Sequence, residues 1–353
     1  MKTNKLFFKN SKILPVDKFF KNVLYDKKYG YYATKYPFGK KGDFITAPNI
    51  SNLFSEIIAI WIISTWQVFG KPKNINVIEL GPGDGSLTKI LLKVSKRFPD
   101  FNKAKKIYLY ETSSLLKNLQ KKNIKNNNVK WLKNFKDINK GPVIFFGNEF
   151  FDAIPVKQFK KIDGSFFEKN FHIDKDFKIK EIFKAASKSN IDVIKSYKTL
   201  ERLKFIELPK LGFQELKKIS QKISKLSGCI LMIDYGYIRP NNQDTLQSVI
   251  KHKKNILLNN LGKADVTAHV NFSLLNEFFS KNNLKIKSII TQKKFLENMG
   301  ILERAKIISK RMNFSEQSDL YFRLRRLLSP SSMGNLFKVI LAYKLKKDNF
   351  AGF

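Results

Sequence analysis

The sequence predicts a doubly wound α/β fold built on a mostly parallel sheet, and three observations predict it. From residue 75 onward short apolar runs alternate with helical patterns, the order that lays parallel strands in one sheet with helices on both faces. The run Val77-Ile78-Glu79-Leu80 passes at once into Gly81-Pro82-Gly83-Asp84-Gly85 and then a helical pattern, giving a strand, a glycine turn and a helix in succession. A length of 353 residues with 43% hydrophobic content supplies a sizeable core.

The elements follow in order. The first 70 residues read as a helical cap holding the aromatic cluster of residues 29–36, a glycine-bearing loop at 38–48 and the apolar run 57–68. That run is shorter than the roughly 20 residues a spanning helix needs, so a buried helix is expected there and no membrane span. Strands are predicted at 76–80, 106–111, 128–132 and 143–147, with helices near 87–96 and 114–121. Residues 156–226 interrupt the alternation with a hairpin (156–160 and 166–173, turning at Asp163-Gly164) followed by irregular and helical sequence. The strand pattern resumes at 229–234, and a helix near 273–281 with strands at 285–291 and 337–343 completes the count. The expected organisation is a cap (1–70), the first half of the core (71–155), an inserted subdomain (156–226) and the second half of the core (227–353).

The formal net charge of +38 invites a nucleic-acid reading. Only eight of the 67 basic residues are Arg, however, and the lysines are spread along a chain also rich in Asn, Ile and Phe, as AT-rich codons would produce. Solvated lysine faces are expected and no stable nucleic-acid partner, while attraction to an acidic partner stays open. The single Cys229 excludes an internal disulfide framework, and the N-terminus lacks the apolar core of a signal peptide. A reducing, cytoplasmic setting is expected. Three scattered histidines and one cysteine offer no metal-ligand spacing, so no metal site is expected.

Glycines let the backbone turn sharply and approach a ligand, and the following helix offers free N–H groups. A dinucleotide loop reads G-x-G-x-x-G and seats a pyrophosphate on the helix N-terminus. This loop reads G-x-G-x-G between Glu79 and Asp84, two carboxylates that would repel a pyrophosphate but suit a cofactor carrying a sulfonium and an ammonium group. The second predicted strand ends in Glu111, an acid placed for ribose hydroxyls. The residues therefore point to S-adenosyl-L-methionine, held by Glu79, Gly81, Gly83, Asp84, Gly85 and Glu111. The competing reading is a helix-entry turn and a surface glutamate.

Further motifs extend this. Tyr31-Tyr32, Pro37-Phe38-Gly39 and Gly42-Asp43-Phe44-Ile45-Thr46-Ala47-Pro48 precede the loop. Asn148-Glu149-Phe150-Phe151-Asp152-Ala153 with Pro155-Val156, then Asp234-Tyr235-Gly236-Tyr237, Asp244-Thr245-Leu246-Gln247, Ala264-Asp265-Val266-Thr267-Ala268-His269-Val270 and the stretch 295–301 follow it. In this order the chain resembles the MidA-like methyltransferases, class I S-adenosyl-L-methionine-dependent enzymes whose mitochondrial members are complex I assembly factors that methylate an arginine on a subunit of that complex. The resemblance implies a Rossmann-like methyltransferase sheet with an antiparallel last strand and a substrate-side subdomain. Asn271 stands where an acidic residue would be expected.

Methyl transfer is an in-line displacement in which positioning and electrostatics carry most of the acceleration. A guanidinium acceptor needs carboxylates to orient it and hold its charge. Glu149 is the candidate for that role with Asp152 in support, although acids here also cap helices. Asn148 resembles the polar residue that opens the acceptor-side loop of amino-group methyltransferases and is grouped with the cofactor site. Asp265, Thr267 and His269 would share one face of an extended segment, and the resemblance places them at the active site, with His269 able to help remove a proton. His252 and His172 have weaker claims. Asp43 and Thr46 sit in a loop expected to fold over the cofactor, or merely to pack.

The leading expectation is a protein-arginine methyltransferase whose partner is a complex I subunit. The alternatives are a non-catalytic, cofactor-binding assembly factor and a nucleic-acid methyltransferase, the latter weakened by the absence of an N-P-P-Y-type motif. Oligomeric state is left open, a homodimer among the options.

Overall fold

The computed structural model describes every residue except Met1, Lys40, Lys41, Phe44 and Pro240; Phe44 of the N-terminal motif thus lies outside the described residues. The chain divides into two compact units, one comprising residues 45–150, 218–236 and 279–353, the other residues 1–44, 151–217 and 237–278.

The first unit is built on seven strands: β1 (Ile75–Leu80), β2 (Lys105–Tyr110), β3 (Val129–Leu132), β4 (Val143–Asn148), β5 (Gly228–Tyr237), β6 (Lys285–Thr291) and β7 (Phe337–Lys344). They run side by side in the order β6-β7-β5-β4-β1-β2-β3. Strands β1 to β5 are parallel, whereas β7 is antiparallel to both its neighbours, so the mostly parallel sheet with an antiparallel last strand is present as predicted. All six residues of β1 are buried, the signature of a parallel strand covered on both faces. Chain order reverses between β1 and β4, which makes their carboxyl ends a topological switch point, where open α/β sheets bind ligands.

Helix Asn52–Val68 starts where Ser51 accepts a hydrogen bond from the Leu53 N–H, a side-chain cap. It is apolar nearly all round and therefore needs cover on every side. Ile58, Trp61 and Ile62 find that cover in the same core as Val77 and Leu91. The helix, grouped by sequence with the N-terminal cap, thus packs within the sheet-bearing unit.

In the second unit the strands Ile13–Pro15, Lys157–Ile162, Ser165–Ile173, Ile179–Ala185 and Phe205–Leu208 form one sheet, antiparallel throughout. The hairpin turns on Asp163 and Gly164, at φ 46° and 79°, the two positive values that suit a two-residue turn to the strand twist. Phe19 and Phe20 of helix Val16–Tyr25 set their rings 4.9 and 5.6 Å from that of Phe171. The N-terminal 44 residues and the insertion therefore share one core, where the sequence suggested two separate segments. A smaller sheet, Lys253–Asn255, Gln247–Ile250 and Asp265–Thr267, completes the unit. Among the described residues no helix is long and apolar enough to cross a membrane.

Candidate cofactor and active site

In the sheet-bearing unit, register places Leu80 beside both Tyr110 and Gly147, so Gly81, Glu111 and Asn148 leave three adjacent parallel strands at one edge. The loop after β1 is held from several sides. The Gly81 N–H donates to the Tyr110 carbonyl at 3.1 Å. Asp84 accepts from the Ser86 N–H at 2.9 Å and from the Asn49 amide at 3.0 Å, so one oxygen starts helix Ser86–Ser95 while the other ties down residue 49. Thr46 is the N-terminal flanking residue of helix Ala47–Ile50 and makes no side-chain cap there. Glu111 accepts from the N–H groups of Thr112 and Ser113, both at 2.8 Å.

One residue that the sequence did not single out joins these pieces. Gln120, fully buried, donates to the Gly83 carbonyl at 2.9 Å and to Glu111 at 3.2 Å, and accepts from the Trp131 indole at 2.8 Å. It fixes the glycine loop to the acid after β2. Its only sequence signal is a polar residue on the inward face of an otherwise unremarked helix.

The electrostatics favour a cationic ligand. Burial pushes the Glu79 carboxyl up to about 8, with the like-charged Asp84 adding to the rise and the Thr88 hydroxyl bond opposing it. Burial also raises Glu111, against hydrogen bonds that stabilise its charged form. A positive group brought to this edge would supply the missing countercharge. Asn148 adds a buried Oδ1 with no hydrogen-bond partner among the described residues, an acceptor open to a ligand donor. Both features fit a ligand bearing an ammonium and a sulfonium.

Glu149 follows directly. Its backbone has φ 53°, the left-handed region that costs a side-chain-bearing residue about 1 kcal/mol or more. The conformation is held because its N–H donates to the Ile233 carbonyl at 2.9 Å. Its Oε1 accepts from the Ala47 N–H at 3.2 Å and the Asn148 amide at 2.9 Å.

Asp43, Asp152, Asp265 and His269 belong to the second unit. Both Asp43 oxygens are engaged, one by the Tyr31 hydroxyl and one by the Lys251 N–H, each at 2.7 Å. Asp152 and Asp265 are buried, and the Asp152 carbonyl accepts from the Ala268 N–H at 3.1 Å. Asp265 accepts from the Tyr32 hydroxyl at 3.1 Å and from the Val266 N–H at 3.0 Å. Thr267 shares its short strand, which ends before His269. His269 is half-buried and lines a small cavity with Glu207, Tyr237 and Asn271. His252 is exposed in a turn, and His172 pairs across strands with Ile13.

Burial, then the charges of Asp152 and Asp43, push Asp265 from 3.8 up to about 7. Between these two values the folded chain keeps a proton that the unfolded chain releases. This contribution to stability is full below the unfolded value and lost as pH rises through 7. Asp265→Asn keeps an oxygen for Tyr32 and Val266, and is expected to raise the melting temperature more at pH 8 than at pH 4. Equal shifts at the two pH values, read by calorimetry, would contradict it.

Strand order, switch-point glycine loop and buried acids together define a nucleoside-type methyl-donor site on a class I methyltransferase sheet. Residues 57–290 match the model of a family of S-adenosyl-L-methionine-dependent methyltransferases, and the chain belongs to that family. It is 29% identical to the mitochondrial protein arginine methyltransferase NDUFAF7 of Xenopus laevis, over 95% of this chain and 82% of that one. It is equally 29% identical to the human protein of that name, over 92% of this chain and 78% of that one. A superfamily member from Burkholderia thailandensis, crystallised with S-adenosyl-homocysteine, superposes with a TM-score of 0.81 at 22% identity, covering 97% of this chain and 91% of that one. The resemblance to MidA-like methyltransferases holds, and S-adenosyl-L-methionine is the cofactor.

With the cofactor known, Gln120→Leu has a definite expected result. Losing two positioning hydrogen bonds at about 1 kcal/mol each should raise the S-adenosyl-L-methionine dissociation constant about tenfold or more. Glu111 would also lose a donor to its charged form, so the pH at which binding is half-maximal should move upward. Titration calorimetry across pH 6–9 checks both, and an unmoved pH profile would reduce Gln120 to packing.

Proposed function

We propose that the methyl acceptor is the guanidinium of an arginine on a protein, a subunit of respiratory complex I, and that methylation supports assembly of that complex. The observation that carries the acceptor reading is Glu149: its backbone is left-handed at the ligand edge, and its carboxylate is fixed there by bonds accepted from Ala47 and Asn148. Maintained backbone strain of this kind is a mark of functional positions. The names of the relatives, protein arginine methyltransferases, support the same acceptor.

S-adenosyl-L-methionine supplies a methyl group activated by the sulfonium. Glu149 accepts two N–H bonds from the guanidinium, fixes its plane and holds its charge. The Asn148 Oδ1, with no partner among the described residues, receives an N–H from cofactor or acceptor. Formation of the N–CH3 bond would be matched by cleavage of the S–CH3 bond, with neutral S-adenosyl-homocysteine as leaving group, and the guanidinium nitrogen must shed a proton. We assign Asp152 to support of the guanidinium charge, and Asp265 and His269 to that proton, since a carboxyl raised to about 7 exchanges protons near neutrality. Asp43 and Thr46 are assigned to the loop over the cofactor.

The test is incubation with methyl-labelled cofactor and the folded complex I subunits of the host, with the labelled residue mapped by mass spectrometry. Label on one arginine of one subunit is expected. Cofactor binding without label on any arginine would overturn the acceptor reading.

A further inference from the structure

Arginine is scarce in this chain, with eight residues among 67 basic ones, yet five of the eight lie between positions 304 and 326. With only three arginines in the rest of the chain, that concentration marks a place that uses the planar, multi-donor guanidinium. Two of the five have structural duties. Arg304 pairs with Glu56 at 2.9 Å, and Arg323 reaches Asp319 and the Ile50 carbonyl. Arg311, Arg325 and Arg326 are exposed.

The aromatic residues around them are exposed as well. In helix Phe314–Leu328 the buried positions are Leu320 and Leu327. On the outward side Phe314 is 87% exposed, Tyr321 61% and Phe322 60%, with the last two rings 5.8 Å apart, edge to face. Positions 314, 321, 322 and 325 follow the i, i+7, i+8, i+11 spacing of one helix face. No carboxylate falls in that stripe. Asp319 is bound to Arg323, and Glu316 is bound to Asn313 in a capping box.

An exposed stripe of Phe, Tyr and Arg has the composition of a protein-interface core, not of a solvated face. We propose that this stripe docks an acidic surface of the protein that carries the acceptor arginine; the inference rests on the protein-acceptor reading above. Charge argues against a second copy of this chain as occupant, because a +38 chain would bring arginines against arginines. Leu320 and Leu327 of the helix stay in the core of its own unit, so the exposed face offers rings and a guanidinium and no aliphatic side chain to lay into a lipid surface.

The test uses the full chain with Tyr321→Ser, Phe322→Ser and Arg325→Glu combined, and separately Phe314→Ser, a fully outward change at the first helical position. Methylation kinetics are measured on the folded complex I subunit and on a short peptide bearing the same arginine. The expected result is a KM for the folded subunit raised about tenfold, with kcat, cofactor affinity and the KM for the peptide unchanged. Wild-type methylation with the subunit KM unmoved in both variants would overturn the docking surface alone. Failure of the wild-type chain to methylate any subunit would overturn the acceptor reading, and the docking surface with it.

Discussion

Glu149→Gln is expected to lower kcat by about 100-fold or more, while the cofactor dissociation constant should stay within about threefold. The amide is isosteric, and its oxygen can still accept from the Ala47 N–H and the Asn148 amide, so the loop geometry survives. The charge does not. With the proposed arginine acceptor, two charge-assisted bonds to the guanidinium would become one neutral bond, and one of its N–H groups would face an NH2 group instead of an oxygen. A kcat effect with retained cofactor affinity separates this from a helix-capping role, which would lower melting temperature and leave turnover alone. Stopped assays with labelled cofactor decide it. A loss of less than tenfold would remove Glu149 from the acceptor.

The glycine loop, the acid after β2 and the edge at which they meet were legible because each depends on local chemistry. A strand pattern ending in glycines can only turn there; Glu79 and Glu111 lie within one residue of strand ends that periodicity locates, and Asp84 sits in the glycine loop itself. Glu149 was legible as a carboxylate but not as a residue at φ 53°, since its conformation comes from the Ile233 carbonyl in a strand far along the chain. The two hairpin turns make the same contrast. Asp163-Gly164 announces itself because glycine and aspartate accept positive φ cheaply. Lys251-His252 turns with φ 48° and 61° and offers no such signal, so strands Gln247–Ile250 and Lys253–Asn255 went unseen. That turn is stabilised from outside: the Lys251 N–H donates to the Asp43 carboxylate and the His252 N–H to the Asp43 carbonyl. The residue expected from sequence to bind cofactor thus spends both kinds of its oxygens on a strained turn 208 positions away. Gln120 was missed for the same reason, because its three partners come from three separate segments.

Gly81→Ala is expected to cost both stability and function, and the two can be separated. Gly81 has φ 60°, and a Cβ built there would lie 2.8 Å from Cδ2 of Phe150, closer than real carbon atoms approach. A Cβ at Gly147 would lie 3.3 Å from the Phe150 Cβ, so Phe150 packs against two positions that lack side chains. Displacing Phe150 moves Glu149, the residue before it, as well as the loop that approaches the cofactor. The left-handed backbone alone accounts for about 1–2 kcal/mol, and the clash adds to it. Gly164→Ala provides the comparison: φ is 79° and a Cβ would meet nothing within 4 Å, so it should lower the melting temperature through backbone strain and leave the cofactor dissociation constant unchanged. Gly81→Ala should lower the melting temperature further and weaken cofactor binding about 100-fold, near 2.7 kcal/mol, with kcat falling too because Glu149 is carried along. Equal behaviour of the two variants in a binding titration would mean that Phe150 does not couple the glycine loop to Glu149.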